Sequence, residues 1–209
     1  MRHGETAWNR DRRVMSHRPI GLNSRGIDQC RNAAAALRAA GIVRIVSSPL
    51  ARARESADIV AEAIGLAVED DTGFCEVNFG HWEGETYDDL IGTPEFEAYV
   101  NDPVGTGPPG GESLGTVQQR GLEALERALA GRHDGPVLVV SHGDLIRSLL
   151  CHLVGVDLAD YRRFTVDNCA VSALDLRNGW SRIRFVNVVS ESARLWEPRA
   201  APRAPGTGW

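Results

Sequence analysis

The stretch Pro136-Val137-Leu138-Val139-Val140-Ser141-His142-Gly143-Asp144 constrains the fold more than any other. A short apolar run that breaks into small and polar residues reads as a buried parallel strand entering a loop. Open α/β sheets place ligand-binding groups just past the carboxyl ends of such strands. A second histidine followed by glycine opens the chain, in Met1-Arg2-His3-Gly4-Glu5-Thr6. Two histidines so far apart in sequence can then meet in one pocket.

The intervening chain alternates helical and strand patterns. Ile27, Cys30, Ala34 and Leu37 share a helical face, with Ser24 as the expected N-cap and Gly41 as the stop. Residues 42–46 read as a strand. Pro49 fits the first turn of the next helix, which carries Leu50, Ala53, Ala57, Val60 and Ile64 and stops at Gly65. Arg52 falls in its first turn, where free N–H groups favour an anion, whereas Arg54 points elsewhere. Residues 66–69 form a short strand candidate. Thr86 and Asp89 make a capping-box-like pair, residues 95–100 form a short helix, and residues 102–111 are Gly/Pro-dense loop. Ser113 caps a long helix with Leu114, Val117, Gly121, Leu125 and Ala128 on one face, ending at Gly131. A helix over 144–154 follows the strand at 136–140. Residues 170–176 and 180–188 alternate around Asn178-Gly179, a hairpin signal.

Length and charge narrow the function. The 209 residues fit one domain, 1–196, with a substantial core. Residues 197–209 are mostly Pro, Ala, Gly and Arg with little to bury, so a disordered tail is expected. A net charge of −5 argues against a nucleic-acid partner, which calls for a basic patch. All 23 basic residues are arginine, which excludes a lysine Schiff base and a P-loop lysine. Arginine suits bidentate phosphate binding, although GC-rich coding explains a lysine-free chain more simply. Cys30, Cys75, Cys151 and Cys169 form no CxxC pair and read as reduced, buried thiols. With no signal peptide or membrane-spanning run, a cytoplasmic protein without a membrane partner is expected.

Four stretches in order carry a family resemblance. They are Arg2-His3-Gly4-Glu5-Thr6 with Asn9, then Ser47-Ser48-Pro49-Leu50-Ala51-Arg52-Ala53, then Glu76-Val77-Asn78-Phe79-Gly80-His81-Trp82-Glu83-Gly84, and Ser141-His142-Gly143. Together they resemble the histidine phosphatase superfamily, also called the phosphoglycerate mutase-like family, over about residues 2–190. The resemblance implies an α/β fold, a three-layer α/β/α sandwich whose mostly parallel central sheet carries an antiparallel edge strand. Relatives carry an apolar strand ahead of Arg-His-Gly, and here only Met1 precedes it. Loss of that strand would remove several buried side chains, each contributing roughly 1.5–3 kcal/mol, and would leave backbone on its neighbours unpaired. An upstream start, a trimmed chain and an impaired site are the three expectations this raises.

The resemblance also assigns roles. His3 is the implied nucleophile, forming a phosphohistidine. Arg2, Asn9, Arg52 and His142 would hold the phosphoryl group, with His142 cationic or at least a donor. Glu76 would protonate the leaving alkoxide and then deprotonate water, which calls for a pKa raised by burial. Glu83 is the rival acid. His17 and Arg18, in the polar loop 10–23, could read the rest of the substrate, and Gly110-Gly111-Glu112-Ser113 resembles a segment at the pocket rim. No metal or organic cofactor is expected. His81 with Glu83, and His142 with Asp144, lack helical zinc spacing. Ser141-His142 lacks the G-x-S-x-G turn of a serine hydrolase.

The expected activity is hydrolysis of a small-molecule phosphomonoester. A cofactor-dependent phosphoglycerate mutase is the alternative, disfavoured by the compact stretch from Glu76 to Glu112. A phospho-ligand-binding protein with little activity is the alternative from another class. Sugar phosphates, phosphoglycerate-like acids, ribazole phosphate and phospho-amino acids all stay open, as does a homodimer through an edge strand.

Overall fold

A computed structural model describes residues 1–131, 135–177 and 180–189 of the chain. Three parallel strands form the centre: β1 (Arg44–Ser47), β2 (Val68–Asp70) and β3 (Val137–Val140). Their order is β2-β1-β3, with Ser47 opposite Val140 at the carboxyl ends. Alternation along each strand sends successive side chains to opposite faces. Ile45, Leu138 and Val140 pack on one face with α1 (Ser24–Leu37) and α2 (Ala51–Ile64). Val46, Val137 and Val139 join the other face, beneath α3 (Leu114–Leu129) and α4 (Gly143–Val154). That is a three-layer α/β/α sandwich, as the resemblance implies.

Residues 1–3 continue the sheet beyond β3. Met1 N donates to Val139 O at 2.7 Å, Ser141 N to Met1 O at 3.0 Å and His3 N to Ser141 O at 2.9 Å. On their other side Arg2 N donates to Ala170 O at 3.1 Å. Met1 is buried. The short segment therefore pairs on both flanks, and the unpaired neighbours expected around it do not arise at these positions. It leads to β4 (Val171–Arg177), which pairs antiparallel with β5 (Trp180–Val188). The hairpin turn Asn178-Gly179 and the tail 197–209 lie outside the described residues.

Local signals explain most helix ends. Gly41, Gly65 and Gly155 adopt left-handed φ at helix C-termini. Thr86 closes a capping box with Asp89, and Ser113 caps α3. Two expectations shift. The N-cap of α1 is Asn23, whose side chain accepts from Gly26 N, and not Ser24. Pro49 lies ahead of the N-cap Leu50 and so outside the first turn of α2. Ile27 and Leu125 are half-buried, while Ala33 and Ala124 fill the buried faces instead. Among the described residues no helix is long and apolar enough to cross a membrane.

Candidate active site

The site lies at the carboxyl ends of β1 and β3, where residues 1–3 also end. His3 turns off its strand-like segment because Gly4 follows it. A Cβ on Gly4 would stand 2.6 Å from Gly26 O and 2.9 Å from Cys30 Sγ. Only glycine lets the chain pass that close to α1. Gly4 N also donates to Ser56 Oγ at 3.0 Å.

His3 is 1% exposed. Its Nδ1 lies 2.7 Å from Gly4 O. A carbonyl only accepts, so Nδ1 carries the proton and Nε2 keeps its lone pair. Burial, then the charges of Arg52 and Arg2, hold its pKa well below the usual histidine range. His142 packs against it with ring centroids 5.2 Å apart. Burial and the same cations hold His142 neutral too. His142 Nε2 lies 2.8 Å from Ser48 Oγ. Ser48 also accepts from Leu50 N at 3.3 Å. The Ser48 hydroxyl itself donates to Cys75 Sγ at 3.7 Å, and His142 Nδ1 is left without a partner in the protein. Of the two expectations for His142, this environment favours a neutral ring over the cation.

Arg52 is fully buried in the first turn of α2. Burial lowers its pKa to about 10, so it stays cationic at neutral pH. Its Nη2 donates to Ser16 O at 2.8 Å, while Arg2 Nη1 donates to Val166 O at 2.7 Å. One guanidinium nitrogen of each is thus anchored. Arg2 Nε, Arg52 Nε, Arg52 Nη1 and His142 Nδ1 are buried with no partner in the protein. Buried polar atoms are almost always paired, so three unpaired guanidinium donors, with the unpaired His142 nitrogen beside them, make this cluster a candidate oxyanion site. Asn9 lines the same cavity, of about 390 Å³. Its Oδ1 accepts from Thr6 N at 3.1 Å and Asn168 Nδ2 at 3.3 Å, which turns the amide nitrogen away from both.

Glu76 lines the same cavity as Arg2, His3 and Arg52. Its carboxyl accepts from Val77 N at 3.0 Å, Leu145 N at 3.3 Å and Asp144 N at 3.4 Å. The N-cap residue of α4, His142, makes no side-chain cap bond, so Glu76 caps that helix from a distant segment. Burial raises its pKa, helped by the Asp144 charge and opposed by Arg52 and Arg2. Arg120, on α3, holds the segment in place. It donates to Gly73 O at 2.9 Å, Cys75 O at 2.8 Å and Glu76 O at 2.9 Å, and pairs with Glu112 at 2.9 Å.

His3, Arg2, Asn9, Arg52 and Glu76 line one cavity, with His142 against His3. His17 and Arg18 do not line it. His17 Nε2 meets Glu76 O at 3.0 Å, and Arg18 stacks 5.8 Å over the Trp8 ring while pairing with Glu83 at 3.6 Å. Glu83 is thereby held outside the cavity, and Arg54 pairs on the surface with Asp58 and Asp70. Arg147 and Tyr87 line the cavity without having been singled out in the sequence. The i, i+3 pair Asp144–Arg147, at 2.7 Å, was a readable helix pattern. Among the described residues no group of His, Cys, Asp and Glu could hold a metal ion.

Fold and site together define an α/β domain that gathers two histidines and two arginines at the carboxyl ends of its parallel strands. The chain belongs to the histidine phosphatase superfamily (branch 1), whose family pattern matches residues 1–189. Among sequence relatives, a protein of Yersinia pestis named "Probable phosphoglycerate mutase GpmB" is 36% identical over 190 residues, which cover 86% of this chain and 87% of that protein. Among solved structures, mycobacterial glucosyl-3-phosphoglycerate phosphatase superposes with a TM-score of 0.81 at 30% identity, covering 89% of this chain and 96% of that one. The alpha-ribazole phosphatase from Shigella flexneri gives 0.80 at 29% identity, covering 90% and 94%.

Proposed function

We propose that this protein is a phosphatase that hydrolyses a small phosphomonoester through a phosphohistidine on His3. The observation that carries the reading is the cluster of three unpaired buried guanidinium donors, with the unpaired His142 nitrogen, around a histidine whose pKa burial lowers. Phosphoryl transfer needs a nucleophile in line with the leaving oxygen, positive charge on the equatorial oxygens and a proton for the leaving group. His3 Nε2 attacks phosphorus as the ester P–O bond breaks. Arg2, Arg52, Asn9 and His142 bind the equatorial oxygens. Glu76 gives its proton to the departing alkoxide, then takes one from the water that cleaves the N–P bond. Inorganic phosphate leaves, and His3 and Glu76 return to their starting protonation states. The four free, buried cysteines suit the reducing cytoplasm.

The Yersinia relative favours a second reading, phosphoglycerate mutase, in which a hydroxyl takes the place of water. The two separate on product: inorganic phosphate or a rearranged ester. The test is a panel of phosphomonoesters with an alkaline quench and phosphorus NMR. Wild type is expected to release phosphate and carry one phosphohistidine. His3→Ala is expected to lose both, and Glu76→Gln to slow turnover by about 10²–10⁴-fold. Phosphate release that survives His3→Ala would sink the mechanism. Phospho-ligand binding with no phosphohistidine in wild type would favour a binding protein.

A further inference from the structure

Two thiols meet next to the His3-Gly4 backbone. Cys30 lies in the middle of α1, and Cys169 in the turn that leads into β4. They are 139 residues apart in sequence, yet their Sγ atoms stand 3.2 Å apart. Both are buried in the core cluster that packs α1 against the sheet. Cys75 and Cys151 lie elsewhere, Cys75 beside Ser48 and Cys151 on α4. A disulfide bond is about 2.05 Å long, so about 1 Å of approach would close one between Cys30 and Cys169.

The pair is built around the catalytic segment. Cys169 N donates to His3 O at 3.1 Å and to Arg2 O at 3.2 Å. Cys169 holds a left-handed φ of 57°, which is uncommon for a residue with a side chain. Cys30 comes from the helix side, where a Cβ on Gly4 would fall 2.9 Å from its Sγ. The turn before Cys169 also reaches the oxyanion groups. Asn168 Nδ2 donates to His3 O at 3.1 Å and to Asn9 Oδ1 at 3.3 Å. Val166 O anchors Arg2 Nη1 at 2.7 Å. Drawing this turn toward α1 would shift the supports of His3, Asn9 and Arg2 together.

The two thiols are also unequal. The contact with Cys169 holds the Cys30 thiol below its ordinary range, while that contact and burial push Cys169 up. The thiolate is the nucleophile, so Cys30 reacts first and Cys169 resolves.

We propose that Cys30 and Cys169 form a peroxide-sensitive thiol pair, and that their disulfide weakens oxyanion binding and turnover at the adjoining site. The Cys30 thiolate attacks one oxygen of hydrogen peroxide. The O–O bond breaks, Cys30 becomes a sulfenic acid, and the departing hydroxide takes the proton Cys30 gave up and leaves as water. The Cys169 sulfur then attacks the Cys30 sulfur. The S–S bond forms, the S–O bond breaks, and the hydroxyl leaves with the Cys169 proton as a second water. Two electrons pass from the thiols to peroxide, and a dithiol reverses the bond by exchange. Peroxide is little larger than water and reaches buried thiols when the helix or the turn opens locally. The disulfide stands independently of the phosphatase reading, and only the loss of turnover rests on it.

The test treats wild type, Cys30→Ala and Cys169→Ala with hydrogen peroxide, removes the excess with catalase and maps the cysteines by mass spectrometry after alkylation. Each protein is then assayed for ester hydrolysis and for the rise in Tm that inorganic phosphate gives. Wild type should lose two hydrogens and carry a Cys30–Cys169 cross-link. Its hydrolysis should fall about 10-fold or more, with part of its phosphate-induced Tm rise, and dithiothreitol should restore both. Each alanine variant should keep its activity through the treatment, and poor folding of one leaves the other to decide. Treated wild type with Cys30 and Cys169 unlinked would overturn the pair. A cross-link with hydrolysis and the phosphate response unchanged would overturn its effect on the site. An equal loss in the alanine variants would assign the effect to other oxidised groups and overturn the proposal. If reduced wild type hydrolyses no ester, the phosphatase reading falls, and a cross-link that lowers the phosphate response would still support the pair.

Discussion

The reaction needs His3 neutral while Glu76 is still protonated, two states that water does not favour together. Free histidine titrates near ~6.5 and free glutamate near ~4.3, so a neutral histidine beside a protonated glutamate is scarce in solution at any pH. Burial lowers His3 and raises Glu76, which brings the two into one window. We therefore expect a bell-shaped kcat/KM profile. Its acid limb should lie below the ordinary histidine range, and its basic limb above the ordinary carboxylate range. Glu76→Gln should remove the basic limb. An acid limb at or above ~6.5 would contradict the neutral, buried His3. The same shifts act on folding with opposite signs. His3 and His142 contribute stability above the unfolded histidine value that is lost as pH falls through their lowered folded values. Glu76 contributes stability below the unfolded carboxylate value that is lost as pH rises through its raised one.

The elements that matter are the α4 N-terminus and the segment 73–78. Glu76 supplies the cap that His142 does not, so helix and catalytic carboxyl fix each other. Arg120 reaches across from α3 to hold three carbonyls of that segment and the Glu112 carboxyl. Arg120 touches no reacting atom in this scheme and acts through the placement of Glu76. Arg120→Ala should lower kcat by up to about 100-fold, the scale of a misplacement near 1 Å, with a smaller change in KM. It should also move the basic limb of the pH profile. A Tm loss with kcat and the pH profile intact would reduce Arg120 to a structural role. The helix ends themselves were readable: Gly65, Ser113 and the Thr86–Asp89 pair act as local chemistry dictates. The α1 cap slipped by one residue because Asn23 and Ser24 are both good caps, and only the chain's path chooses between them.

At the scale of the molecule, a chain of net charge −5 turns its buried positive groups toward one cavity. Such a site focuses field onto an anionic ligand while the rest of the surface repels it. Inorganic phosphate, the expected product, should bind the folded state alone. At a concentration of 100 times its Kd it should add about 2.7 kcal/mol of stability and raise Tm in wild type. Arg52→Met should abolish most of that rise. An equal rise in both proteins would place phosphate elsewhere.

The order Arg2-His3-Gly4, Arg52, Glu76, Ser141-His142-Gly143 carried the family resemblance that implied the fold class and the candidate site residues, and the apolar run at 136–140 marked the central strand. These signals are local: a strand's alternation, a helix's first turn and a short motif depend only on neighbouring residues. The tertiary structure decided what needs contacts across the chain. It placed Arg18 on Trp8 and Glu83 instead of on the cavity wall, and buried His142 beside Ser48, where its pKa is lowered. It used a distant glutamate to cap α4 and brought Arg120 to the segment that carries it. It also lined a second cavity with Phe79, Trp82, Phe96, Tyr99 and Tyr161. Burial and long-range pairing set pKa values and cavity shape, and both exist only once the layers have closed.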